Sequence, residues 1–293
     1  MNRKTTSTTK KPVAKTTRTV RTKKEVTTTI NPSLDLLSQI KIDIKHKNEI
    51  QKKLTNSLKT NTITFCTGPA GTGKTLLSVA EALLLLKNNP DIYREIKLVK
   101  SIEQLRGEDL GTLPGDEKDK LKFIMMSFFD AFYYLIGEEL TNKLMEAGYI
   151  KMEVFGSIRG RSFSNCIIIM DEYQNVRKKH SKAFLTRFSE NTRIIVLGDT
   201  GQIDLKDESE SALQEIVEDV KNNPEESVGI VEFTNNEVVR HRLTSYFIKL
   251  YEERENKLKN KEVNKTVRVE PRIKQKTIKK TFLEKIIAFF IKK

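Results

Sequence analysis

Gly68-Pro69-Ala70-Gly71-Thr72-Gly73-Lys74-Thr75 is the stretch on which the reading of this chain turns. It fits G-x-x-x-x-G-K-[ST] and stands between an apolar run at 63–66, which reads as a strand, and a helical pattern over 74–87. That strand-loop-helix context is the one this motif requires. Gly71 and Gly73 permit backbone angles that turn successive N–H groups inward, making an anion-binding nest at the positive end of the following helix. In such a loop Gly68, Pro69, Ala70, Gly71, Thr72 and Gly73 wrap a chain of phosphates and Lys74 reaches the β- and γ-phosphates. The Thr75 hydroxyl is then a Mg²⁺ ligand.

A nucleotide site needs a second part. Ile167-Ile168-Ile169-Met170 is apolar enough for a central strand and ends in Asp171 and Glu172, so both acids reach the sheet edge where ligands sit in open α/β folds. Asp171 suits Mg²⁺, held directly or through water, which leaves Glu172 to orient and deprotonate an attacking water. A third run at 193–197 ends in Gly198-Asp199-Thr200-Gly201-Gln202, with Asp199 placed 28 residues after Asp171. One crossover helix and an adjacent parallel strand fit that interval. Asp199 and Gln202 would face the γ-phosphate from this neighbouring strand end, where an amide senses the phosphate or holds the lytic water.

Further strand-like runs lie at 96–99, 150–155 and 230–233, with helical patterns at 117–136, 138–147, 181–190, 208–221 and 239–255. One or two short helices are expected within 31–58. Short apolar strands alternating with helices predict an α/β domain over 31–255, a mostly parallel sheet covered by helices on both faces.

The 293 residues carry a formal net charge of +14, which at first suggests a polyanion-binding domain. The charge is unevenly spread. Residues 1–30 hold nine Lys or Arg against one acid, together with eleven Thr, and residues 256–293 hold thirteen against three. The remaining 31 basic and 35 acidic residues leave 31–255 at −4. Basicity therefore belongs to two tails, and residues 1–30 have too few apolar side chains to offset the entropy of ordering. No apolar signal-peptide core or run of about 18 apolar residues occurs, so a soluble cytoplasmic protein is expected. Cys66 and Cys166 are the only cysteines, without zinc-site spacing, and read as small core residues. Residues 281–293 read TFLEKIIAFFIKK, with Phe282, Leu283, Ile286, Ile287, Phe290 and Ile291 at helix-stripe spacing. Such a helix would dock on a partner, lie on an anionic membrane surface, or pack back on its own core.

Taken in order, GPAGTGKT, LGTLPGD at 110–116, IRGRSF at 158–163, MDEYQN at 170–175, GDTGQIDL at 198–205 and VVRH at 238–241 resemble the PhoH-like family of P-loop ATPases over roughly residues 45–255. The domain of that family is similar to the first RecA-like lobe of superfamily-one helicases. The resemblance implies a RecA-like P-loop NTPase fold, ATP and Mg²⁺ as ligands, ATP hydrolysis, and a role in RNA handling. By position, Gln51 matches a glutamine that reads the adenine edge. An amide is able to donate to and accept from adenine at once, although a solvated helix-surface glutamine fits the sequence equally well. The chain departs from the family at Val99-Lys100-Ser101, where Thr-Arg-Pro is usual, and at Tyr173, where a small residue is usual. Many family members are encoded by bacteria and their phages, and Lys-, Asn- and Ile-rich usage suits an AT-rich genome.

One lobe fits in 31–255, so a two-lobed translocating helicase is not expected. Fast hydrolysis needs an arginine at the transition state. Arg159, Arg161 and Arg240 are the candidates, supplied by a neighbour if the subunits form a ring; the alternative is that they make ordinary ion pairs. RNA or single-stranded DNA would be held by the basic tails. The absence of Asn-Lys-x-Asp argues against a GTPase. A non-catalytic ATP switch or scaffold, recruiting partners through its tails, is the rival class.

Overall fold

A computed structural model describes residues 32–101, 117–155 and 161–239, together with eight positions between 243 and 257. The basic arm at 1–30, the LGTLPGD segment, Arg159, Arg240 and the closing apolar stripe at 282–291 lie outside the described residues.

Among the described residues, six strands form one sheet in the order β3-β2-β4-β5-β1-β6: β1 (Ile63–Thr67), β2 (Glu95–Lys100), β3 (Ile150–Val154), β4 (Cys166–Asp171), β5 (Thr192–Gly198) and β6 (Val228–Glu232). Every pairing is parallel, one step beyond the mostly parallel sheet expected. β4 and β5 are neighbours, with Met170 opposite Val196, as the 28-residue interval between Asp171 and Asp199 requires.

The sheet is parallel because both of its faces are buried, and the strands show it residue by residue. Cys66, Ile167, Ile169, Ile195 and Leu197 face one core, which is filled by α1 (Pro32–Ser38), α2 (Glu49–Thr60), α3 (Lys74–Asn88), α5 (Met126–Ile136) and α6 (Glu138–Glu146). Their alternating neighbours Phe65, Cys166, Ile168, Met170, Ile194 and Val196 face a second core, closed by α7 (Lys178–Leu185) and α8 (Leu213–Asn222). This is the two-residue period of a strand buried on both sides. Each fully buried Ile or Leu contributes about 1.5–3 kcal/mol by leaving water.

Three helices differ from the sequence expectation. The pattern at 117–136 is divided into α4 (Glu117–Ile124) and α5 at Met125 (φ −88°, ψ 7°), whose side chain is wholly buried beside Phe128 and Phe129. α7 starts and stops earlier than 181–190, because Phe163 draws the following chain into extended pairing: its N–H donates to Arg187 O (3.1 Å) and its carbonyl accepts from Ser189 N (2.8 Å). The 208–221 pattern is interrupted by Ser211, which bridges to Arg177, so a 3₁₀ turn at Glu208–Glu210 precedes α8. Periodicity alone does not reveal long-range pairing of this kind. Within 239–255 the described positions from Leu243 to Arg254 are helical.

Candidate nucleotide-binding site

β1 runs directly into the glycine loop, and α3 begins at Lys74. Gly73 adopts φ +90° and Gly71 φ +86°, the left-handed region in which a side chain is strained. Gly73 also lies close to α2, so that a Cβ there would stand 3.1 Å from Gln51 Nε2. The Lys74 ammonium folds over the loop and donates to Gly68 O (2.5 Å) and Pro69 O (2.9 Å), while the Thr72 hydroxyl donates to Pro69 O (3.1 Å). These bonds hold the loop in an open curve around the start of α3.

At the end of β4 the Asp171 carboxylate is buried and accepts from the Thr75 hydroxyl (3.4 Å) and from the Glu172 backbone N–H (3.0 Å). Burial is the main reason its carboxyl is pushed above the ordinary value, with the Glu172 charge adding to it; Lys100, the Glu172 N–H and Lys74 oppose. Lys100 sits opposite Asp171 in the β2–β4 register. Among the described residues no three His, Cys, Asp or Glu side chains converge as a metal site. Thr75 and Asp171 nevertheless suit Mg²⁺: two adjacent oxygen donors, one an inadequately compensated carboxylate, match an ion that takes one or two protein oxygens and completes its shell with phosphate and water.

A cleft of about 460 Å³ joins these groups. Lining it are Ala70, Gly71, Gly73, Lys74 and Thr75 from the loop and α3, Asp171 and Glu172 from β4, and Gly198, Asp199 and Gln202 from β5 and its loop. β5 lies between β4 and β1, so the three strand ends are contiguous. The Gly68 N–H donates to Gly198 O (3.1 Å), which ties the phosphate loop to the neighbouring strand.

Among the described residues, two predicted ones stand away from the cleft, and the loop residues Gly68, Pro69 and Thr72 do not line it. Gln51 is buried outside the cleft lining, its Nε2 donating to Thr72 O (2.9 Å) and its Oε1 accepting from Lys47 N (2.7 Å). It is therefore a brace beneath the loop, not a solvated helix-surface glutamine. Arg161 lies beyond edge strand β3 and donates to Glu153 (2.8 Å), within a network in which Lys97 pairs with Glu153 (2.7 Å) and Glu95 (2.8 Å). It does not line the cleft of its own chain. Arg240 lies outside the described residues. Tyr173 is wholly buried; its hydroxyl pairs with Ser181 Oγ (2.7 Å) and its ring packs on Phe184.

Several residues at the site carried no role in the sequence reading. Gln174, wholly buried, donates from Nε2 to Glu172 Oε2 (2.6 Å) and Gln202 O (3.0 Å) and accepts from Asp199 N at Oε1 (3.0 Å). One side chain thus joins the β4 acids to the β5 loop. Asn175 does the same one residue later, donating to Asp204 Oδ2 (2.9 Å) and accepting from Asp204 N (2.8 Å). Glu172 itself adopts φ +56°, ψ +39°, a left-handed kink that redirects the chain into the Tyr173–Asn175 turn. Ser127, Asp130 and Tyr134 form the opposite wall from α5. Their signal was their spacing of three and four on a helix otherwise apolar, MSFFDAFYYLI.

A family model described as PhoH-like protein matches residues 43–252. The chain is similar to a PhoH-like protein from Mycobacterium tuberculosis, with 37% identity over 75% of this chain and 61% of the relative. It is similar to a PhoH-like protein from Bacillus subtilis (35%, covering 71% and 64%) and to Protein PhoH from Escherichia coli (34%, covering 70% and 57%). It spans about three fifths of the length of these relatives. Among solved structures, a chain of C. elegans PCH-2 aligns with 67% of this chain and 44% of its own at 16% identity and a TM-score of 0.25, a likeness that carries no argument.

Proposed function

Because this chain belongs to the PhoH-like family of nucleotide-binding proteins, we propose that it binds ATP with Mg²⁺ and hydrolyses the γ-phosphate. One observation carries the reading: a single cleft brings Lys74, Thr75, Asp171, Glu172, Asp199 and Gln202 together from three adjacent strand ends.

In this mechanism the phosphates enter the mouth of the glycine loop, where backbone N–H groups at the start of α3 meet them. Lys74 exchanges its loop carbonyls for phosphate oxygens, which lets the loop relax around the ligand. Thr75 and Asp171 are the residues that would hold Mg²⁺, which would supply neutralisation of phosphate charge. Glu172 takes the proton of the attacking water once the carboxylate leaves Gln174, and Asp199 and Gln202 flank that position from β5. Gln51 supports the loop from beneath and retains one N–H and one lone pair for the adenine edge.

An arginine from a neighbouring copy completes the site in this proposal, in a ring or other homo-oligomer; Arg161 and Arg240 are its sources. Basic tails at 1–30 and 256–293 hold RNA or single-stranded DNA by phosphate contacts that weaken with salt. The rival reading, a nucleotide-dependent switch or scaffold without turnover, is supported by one observation: among the described residues lining the cleft, Lys74 is the only cation.

Phosphate release and nucleotide affinity, measured for the wild type, Lys74→Ala and Glu172→Gln with and without RNA, test the proposal. Turnover that is lost in both variants while Glu172→Gln still binds ATP is expected. Binding with no turnover under any condition establishes the switch instead. Removing both tails is expected to weaken RNA binding and leave basal turnover intact.

A further inference from the structure

The helix that follows β6 presents an uncovered apolar face. Tyr246, Phe247, Leu250 and Tyr251 are 57, 50, 47 and 60% exposed, at the i, i+1, i+4, i+5 spacing that places them on one stripe. The Tyr246 and Phe247 rings touch each other at 5.3 Å between centroids, so the aromatic surface is continuous. The segment is anchored beside the nucleotide cleft, for the Val239 N–H donates to Gly71 O (2.9 Å). Scattered exposed apolar residues are ordinary, but four large ones in six positions of one helix mark a contact surface.

We infer that this stripe is covered by the same chain's residues 282–291, packed against it as an antiparallel helix. The two segments match in chemistry and in spacing. Phe282, Leu283, Ile286, Ile287, Phe290 and Ile291 repeat at the same three-and-four spacing. Antiparallel packing with Leu283 beside Tyr251 brings Ile286 and Ile287 onto Phe247 and Leu250. It also carries Lys279 and Lys280 past Glu252, Glu253 and Glu255, which with Arg254 and Lys257 follow the stripe in sequence. The connection suffices, since the 24 residues between Lys257 and Phe282 reach about 80 Å when extended, several times what a helical reversal requires. A tether of this length holds the partner at about millimolar effective concentration, which favours the chain's own segment over a second copy in dilute protein. Docking closes residues 258–281, rich in Lys and Arg, into a loop between the two helices.

The inference does not depend on ATP turnover, and its test reads no activity. Amide hydrogen exchange of residues 243–254 is compared between the full chain and the full chain carrying Ile286→Asp and Ile287→Asp. Docking predicts exchange faster by about tenfold or more in the variant. Equal exchange overturns the inference. Leu250→Cys with Ile286→Cys, introduced into the full chain and oxidised while Cys66 and Cys166 remain buried, separates the possible occupants. A disulfide within one chain supports the docking, whereas a disulfide-linked dimer overturns it by showing that a second copy covers the stripe.

Discussion

Replacing Gln174 by leucine removes one buried amide that touches three groups, and the cost depends on where each group is left. Asp199 N–H loses an acceptor at 3.0 Å in a half-buried turn; if water does not replace it, an orphaned donor costs about 1–3 kcal/mol. The Gln202 carbonyl belongs to an exposed residue and rehydrates, so its loss is about 0–1 kcal/mol. Glu172 Oε2 loses a 2.6 Å bond but opens on the cleft, which makes its share about 1 kcal/mol. Leucine keeps most of the volume, so cavity formation adds little. A loss of about 2–5 kcal/mol in urea unfolding is expected, with an unchanged m-value. Gln174→Glu supplies the control: the acceptor for Asp199 N is kept, but a second carboxylate meets Glu172. That variant should be more destabilised at neutral pH than at pH 4, where protonation relieves the repulsion. A leucine variant within 0.5 kcal/mol of wild type, or a glutamate variant indifferent to pH, would refute the assignment of Gln174 as the tie between β4 and β5.

Other outcomes rest on single contacts. Glu81 is buried with Oε2 lacking a hydrogen bond and Lys59 Nζ 3.9 Å away; burial pushes its carboxyl up, with Lys59 and Arg193 opposing. The folded protein therefore binds this proton more tightly than the unfolded chain, and stability falls as pH rises from the ordinary Glu range through the raised value. Glu81→Gln should gain on the order of 1 kcal/mol at neutral pH, a gain that shrinks under acid; an equal gain at all pH values would show that charge is not the cause. Gly198→Ala places a Cβ 2.5 Å from Leu213 Cδ2 and 2.9 Å from Gln174 Oε1, and should cost about 1–3 kcal/mol in thermal or urea unfolding. Burial pushes the Cys66 thiol up to about 12 and the Cys166 thiol to about 11, so neither should react with a thiol reagent at neutral pH until the protein unfolds; rapid labelling of the native chain would contradict their place in the cores.

The central strands were legible because each is a short apolar run whose alternation serves two cores, a property of local pattern alone, while edge strand β3 alternates Ile150 and Met152 with the charged Lys151 and Glu153. The glycine loop and the acids after β4 were legible for a related reason. Their chemistry depends on neighbours in sequence, a turn that needs glycine and a strand that carries the next two residues to the sheet edge. Charge counting was equally local, and it moved the basicity from the domain to its tails. Helix ends were less secure: Phe163 and Ser211 end or divide helices through pairing with residues far along the chain, and Met125 divides one where its side chain is buried in the core.

Bonding partners separated by many residues were decided only by the fold. Gln51 reads from sequence as a base contact or a surface residue, yet packing places it under Thr72. Arg161 reads as a catalytic candidate supplied by a neighbour, and within its own chain the fold pairs it with Glu153 of edge strand β3. Gln174 and Asn175 gave no sign that they clasp Asp199 and Asp204, because hydrogen-bond partners 25 and 29 residues distant are chosen by strand adjacency, which local pattern does not encode. The motif was thus determined by residues within reach of one another along the chain. How its parts face each other across the cleft was decided by the order β4-β5-β1.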